Sequence, residues 1–184
     1  MIFSGLLLLA AFILAINIYN GLISLRNQVD RAWSNIDVIL KQRHDELQQL
    51  ISICEQFAGY ERATIDRLVQ ARTQYGAARS ISEKVVASGA VSSALSGLLA
   101  IGEAYPELKS SDQFNQIQQR ISAIEEQLAD RRELYNETVT NYNIRCQQFP
   151  DAIFANALLY KTLELFRVET HERTTPNLKM KLPK

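Results

Sequence analysis

The residues best placed to do chemistry are charged ones that fall where apolar ones are due. The series Leu25, Val29, Trp33, Ile36, Leu40, Leu47, Ile51 and Cys54 has steps of three and four, except where the slot falls on Arg43 or His44. A second series runs Phe114, Ile117, Ile121, Ile124, Leu128, Tyr135, Val139, Tyr142, Cys146 and Phe149, and its missing slot falls on Arg131 or Arg132. Asp37, Asp45, Glu125 and Asp130 are near enough to supply carboxylates. The candidate cluster is therefore Asp37, Arg43, Asp45, Glu125, Arg131 and Arg132. Arg43 is as far in residues from Leu25 as Arg131 is from Phe149, so a bundle that starts and ends at one level puts both interruptions at one height. Three readings stay open: arginines that snorkel to water, a buried polar cluster that fixes helix register at some cost in stability, or a ligand or metal site.

Other chemistry lacks its residues. A di-iron helical bundle needs Glu-x-x-His pairs pointing inward, whereas Lys41 stands three positions before His44 and Val168 three before His171. His44, Asp45 and Glu46 are consecutive, so on a helix they point in different directions. There is no Cys-x-x-Cys, Gly-x-Ser-x-Gly or phosphate loop. The expectation is a protein that is not an enzyme, with no catalytic residue, cofactor or metal. Charge is balanced, 20 Lys+Arg against 20 Asp+Glu in 184 residues, which argues against a nucleic-acid partner. Cys54 and Cys146 both fall inside helix-like stretches and read as reduced, buried thiols.

These residues need elements to hold them. From Ile2 to Tyr19 the chain carries no charge, and at helical rise it covers about 27 Å against a bilayer core of about 30 Å. Residues 1–19 therefore read as a retained, single-pass anchor, with Ile2, Leu7, Phe12, Ile16 and Tyr19 facing lipid. No basic residue precedes the run and Ala15-Ile16-Asn17 is a poor cleavage site, unlike a signal peptide. Arg26, Arg31, Lys41 and Arg43 follow the run, so the positive-inside rule places the N-terminus outside and the domain in the cytoplasm, at the inner membrane.

No proline occurs before Pro106, so the anchor is expected to continue as the first helix to about Phe57. A turn is expected near Gly59 and Tyr60; the rival is one unbroken helix to Ala78. Ser80 to Glu83 and Ser110 to Gln113 match capping boxes. The stretch from Val85 to Ile101 is too rich in Ser and Gly for a second span, and reads as a closely packed soluble helix ending near Ala104. The last long helix is stopped by Pro150. Residues 20–150 thus read as all-α, an up-and-down four-helix bundle; the alternative is three long helices with a kinked middle one. Residues 151–169 read as an amphipathic helix and 170–184 as a disordered basic tail.

Tyr19-Asn20-x-Leu22-Ile23-x-Leu25-Arg26, then Ala32-Trp33-Ser34-x-Ile36-Asp37-Val38-x-Leu40-Lys41-x-Arg43-x-Asp45, closely resembles the LemA family signature. Tyr105-Pro106-x-Leu108-Lys109, Arg131-Arg132-x-x-Tyr135-Asn136-x-x-Val139-x-x-Tyr142-Asn143 and Phe149-Pro150 look like the rest of it. The family's proline is missing from Leu47–Leu50, and Tyr60 stands where its histidine would be. The resemblance implies an anchored bacterial membrane protein with a helical bundle that organises membranes, and it supplies no catalytic residue. The leading expectation is a scaffold whose partners are the lipid bilayer and other proteins, or a second copy of itself. The alternative is a peripheral lipid-binding module using residues 151–169 and the basic tail.

Overall fold

The computed structural model describes residues 2–56, 62–102 and 105–167. Helix α1 runs unbroken from Ile2–Glu55, about 80 Å at helical rise. Its first part is the one helix among the described residues that is long and apolar enough to cross a membrane. Ile2, Leu7, Phe12, Ile16 and Tyr19 are all exposed there. From Ile18 onward burial settles on one stripe: Ile18, Leu22, Val29, Ile36, Leu40, Leu47, Leu50 and Cys54. Gly21 does not break the helix. It makes room, because a Cβ there would lie 3.1 Å from Arg145 Nη2.

Helices α2 (Arg62–Ala77), α3 (Ile81–Gly102), α4 (Pro106–Lys109), α5 (Asp112–Gln147) and α6 (Asp151–Ala157) follow. No strand occurs among the described residues. The α5 helix lies antiparallel to α1: Trp33 meets Tyr135, Arg43 meets Glu125, and Gln49 meets Arg120. Tyr75 of α2 packs on His44 with ring centroids 5.5 Å apart. One straight helix cannot bring residues 44 and 75 together, so the unbroken-helix alternative fails; the expected turn at Gly59–Tyr60 lies outside the described residues. Lys84, Ser88 and Ser92 then climb beside Asp37 and Arg43. The helices run up, down, up and down, as the stripes predict.

The two capping boxes form differently. At α3 the box forms as read: Ser80 N donates to Glu83 Oε2 at 3.0 Å and Glu83 N donates to Ser80 Oγ at 3.2 Å. At α5 it is displaced by one residue, since Ser111 is the cap and accepts from Phe114 N at 3.4 Å. Ser110 Oγ is occupied instead by the carbonyl of Glu107, closing α4. Pro106 begins α4, where its missing N–H costs nothing.

The C-terminal segment departs from expectation. In place of one amphipathic helix over 151–169, α6 is only seven residues long and the chain from Leu158 to Arg167 is not helical. Leu159 takes a left-handed conformation (φ 58°), Tyr160 N bonds Ala155 O at 2.9 Å, and Leu159 N bonds Asn156 O at 3.1 Å. These are the paired bonds of a Schellman stop. Beyond it two asparagines one heptad apart take over. Asn143 gives to Leu163 O (2.9 Å) and accepts from Leu163 N (2.8 Å); Asn136 does the same with Phe166 at 3.1 and 2.7 Å. The chain over 160–167 thus forms an extended strap along α5, in which three residues span seven helical ones, about 10 Å, which requires full extension. A helix would have to give up these bonds. The proposed tail, 170–184, lies outside the described residues.

Two apolar cores result. Below, Ile18, Leu22, Val29, Ile36 and Leu40 pack with Ile124, Leu128, Tyr135, Val139, Tyr142, Ala155 and Phe166. Above, Leu47, Leu50, Cys54, Leu68, Leu95, Leu98, Phe114 and Ile117 form the second. The strap and α6 close the lower core, and α2 with α3 close the upper one. Cys54 and Cys146 are both free and buried, and burial pushes the Cys54 thiol up to about 12.

Candidate functional site

Arg43 sits at the junction of these cores. Its slot on the buried stripe of α1 falls between Leu40 and Leu47, and it is 2% exposed, among the largest fully buried side chains of the protein. Nε lies 2.7 Å from Glu125 Oε1 of α5, a close charge contact with the N–H turned off the line to the oxygen. Nη1 donates to Ser88 Oγ (3.2 Å), and Nη2 donates to Ser92 Oγ (3.0 Å) and Ser88 O (3.4 Å). Ser92 Oγ in turn donates to Glu125 Oε2 at 3.4 Å. Arg132 reaches in from α5 and gives Ser88 Oγ a second donor at 2.9 Å, while its guanidinium covers the Phe166 ring, 4.6 Å from the centroid.

The layer holds two guanidinium groups against one carboxylate. Burial pulls the Arg43 guanidinium down to about 10, with Glu125 acting the other way and Arg132 adding to the drop. Arg132 is lowered too, again by burial against Glu125. Both remain charged at neutral pH. His44, beside the layer, is lowered by burial and then by Arg72, opposed by Asp45, and Tyr75 is raised to about 12 chiefly by burial. A cavity of about 10 Å³ lies among Leu40, Arg43, His44, Leu47, Tyr75, Ser88 and Val91. It has room for about one water, far below the several hundred Å³ of a small-molecule site.

The expected cluster is thus partly assembled. Arg43, Glu125 and Arg132 meet. Asp37 lies at the rim in an ion pair with Lys84. Asp45 and Arg131 are exposed and stand outside the layer. The equal-height argument fails for Arg131 because it sets Tyr142 level with residue 32, whereas Arg26 lies over Tyr142 and the Arg145 side chain reaches Gly21. The end of α5 is therefore close to the end of the apolar run rather than level with Leu25, and the antiparallel pairing puts Glu125, not Arg131, opposite Arg43. Snorkelling describes exposed Arg131 but not Arg43. Ser88 and Ser92 were legible only as small residues permitting close approach; their spacing of four on α3 is the signal that both face one side. No group of three His, Cys, Asp or Glu that could hold a metal occurs among the described residues.

The LemA family model matches residues 32–180. Among similar proteins are magnetosome proteins MamQ 1 and MamQ 2 of Paramagnetospirillum magneticum, each 23% identical over 175 residues, covering 81% of this chain and 64% of the relative. Magnetosome protein MamQ of Magnetospirillum gryphiswaldense is 22% identical over 189 residues, covering 88% of this chain and 70% of the relative. The chain thus spans somewhat under two thirds of the first two relatives.

Proposed function

The chain belongs to the LemA family, and on that footing we propose that it is a membrane-tethered, non-catalytic scaffold whose bundle faces the cytoplasm and presents its outer faces to a protein partner. The observation that carries this is the continuity of α1, which passes from an apolar run into both cores without a break. A helix shared by anchor and bundle holds the bundle at a set angle to the bilayer, which suits a platform and gives no advantage to a freely diffusing catalyst. The polar layer supports the same reading: its guanidinium groups are held by Glu125, Ser88 and Ser92, and the cavity beside Arg43 has room for about one water. The magnetosome proteins among the relatives fit a part in organising a membrane. Arg26, Arg31 and Lys41 following the apolar run favour the cytoplasmic side. The rival lipid-binding module is less well supported, because its amphipathic helix is replaced by the strap.

Photo-crosslinkers at exposed Val38 and Val86, in cells carrying the full chain, test the scaffold. A discrete protein adduct that weakens when a flexible Gly-Ser insert follows Tyr19 supports it; adducts indifferent to the insert would sink the role of the rigid tether. Protease digestion of the bundle in intact spheroplasts, before lysis, would overturn the cytoplasmic orientation.

A further inference from the structure

The membrane-proximal end of the bundle carries an apolar surface that neither core uses. Asp151 and Ala155, on one side of α6, are buried, while Phe149 is 79% exposed, Ile153 60% and Leu159 82%. Leu159 holds a left-handed φ of 58°, a position at which glycine is the usual choice. A large apolar side chain is therefore kept in strained backbone and pointed outward, where burial within the protein gives it nothing.

Charge has been removed from the same surface. Between Ile144 and Tyr160 the charged residues are Arg145 and Asp151, and these bind each other through Arg145 Nε and Nη2 to Asp151 Oδ1 at 3.0 and 2.8 Å. The height of the surface is fixed by α1. The pairs Trp33–Tyr135 and Arg43–Glu125 set an antiparallel register that brings the end of α5, Gln147, level with residue 21, and Phe149 follows it in the turn that leads into α6. Ala155 shares a core with Ile18. The surface thus flanks the last turn of the apolar run itself.

We propose that α6 and its flanking turns form an interfacial foot, with Phe149, Ile153 and Leu159 entering the outer acyl region of the leaflet from which α1 emerges. One helix crossing a bilayer is free to rotate about its axis; a second apolar contact beside it fixes the face that the bundle turns to the membrane. Pairing Arg145 with Asp151 lets the foot descend without carrying an unbalanced charge out of water. This proposal rests on α1 being a membrane span, and the experiment separates the two.

Full-length protein is reconstituted in nanodiscs with and without lipids bearing a doxyl group near the top of the acyl chain. Single cysteines at Phe149→Cys, Ile153→Cys and Leu159→Cys carry an NBD fluorophore. Phe12→Cys reports the anchor and Val86→Cys, 73% exposed on α3, reports the aqueous domain. Native Cys54 and Cys146 are buried, and the unsubstituted chain measures any background label. The foot predicts quenching at all three sites at least half as strong as at position 12, with none at 86. Quenching at 12 with the three sites matching 86 overturns the foot and leaves the anchor standing. Absence of quenching at 12 removes the anchor and the foot together.

Discussion

Two substitutions in the polar layer should have unequal costs although they break the same ion pair. Glu125→Gln leaves the Arg43 guanidinium at 2% exposure, facing Arg132 and held by two serines. A buried charge stripped of its partner costs about 3–5 kcal/mol, and the low end applies because the new amide still offers a carbonyl oxygen. Arg43→Met is different. Glu125 is 34% exposed, so its carboxylate turns to water or to Arg132; Ser88 and Ser92 can bond back to carbonyls of their own helix; and methionine fills most of the space. The net change should be within about 1 kcal/mol of zero, as when buried ion pairs are replaced by apolar residues. Urea unfolding of the full chain in mild detergent, followed by far-UV circular dichroism, reads the difference. At a slope of about 2 kcal/mol per M, Glu125→Gln should lower the midpoint by about 1.5 M, and Arg43→Met by under about 0.5 M. An Arg43→Met variant as damaged as Glu125→Gln would refute the asymmetry, and with it the claim that Arg43 lies buried while Glu125 lies at the water's edge.

Asn136→Ala with Asn143→Ala removes the four bonds that hold the strap, each worth about 1 kcal/mol. Amide exchange at Leu163 and Phe166 should rise sharply and Trp33, which packs on Phe166, should shift its emission to the red; unchanged emission would mean the strap is seated by apolar contact alone. Alkaline pH should destabilise the bundle. Tyr75 and Tyr142 are raised from 10 to about 12, mainly by burial, so the folded state favours the neutral phenols. Their contribution is whole below pH 10 and lost between 10 and 12. Tyr142→Phe should flatten that limb, and an identical limb would contradict the shift. Acid acts through His44, whose pKa is lowered from 6.5 by burial and by Arg72. Neutral histidine is favoured in the fold, so its contribution is complete above pH 6.5 and fades as pH falls, and His44→Gln should reduce the loss of thermal stability below that pH.

The long helices were legible because their stripes are regular: each step from Val29 to Cys54 and from Phe114 to Cys146 names a residue that the structure buries, apart from half-buried Trp33. At the ends of the stripes Leu25 is half-buried and Phe149, past the end of α5, is exposed. The capping box at Ser80 was legible because both partners lie within four residues. What stayed hidden depends on pairing between distant segments. That Arg43 faces Glu125 follows from the antiparallel offset of α1 and α5, the same offset that sets Trp33 on Tyr135 and Gln49 on Arg120, and one that no single stripe contains. Ser88 and Ser92 read as spacers because a serine's bonding partner cannot be inferred from its own helix. The strap was missed for a related reason. Leu163, Leu165 and Phe166 have the apolar content of a helix face, and only side chains from another element, Asn136 and Asn143, make the extended form the better one.

The position of the layer follows from how the third wall of the bundle is built. The α1 and α5 helices run through both cores; α2 and α3 close the upper core and reach the lower one with Tyr75 and Val85, and the strap with α6 closes the rest of the lower core. Beside Arg43 a small cavity remains between α1 and the α2–α3 pair, lined by Leu40, His44, Leu47, Tyr75, Ser88 and Val91. An apolar residue there would face a void on one side and lose its dispersion contacts. Arginine tolerates the imperfect join, since its donors reach Ser88 and Ser92 across the gap and its charge is met by Glu125. Arg132 then ties the halves together, bonding Ser88 of the upper closure while lying on Phe166 at the end of the strap. Lifting the strap removes the aromatic face beneath Arg132 and leaves its charge to be accommodated beside that of Arg43. The seat of the strap and the seat of α3 are therefore coupled through one guanidinium, and a disturbance at the membrane-proximal foot has a physical route to the surface that α2 and α3 present.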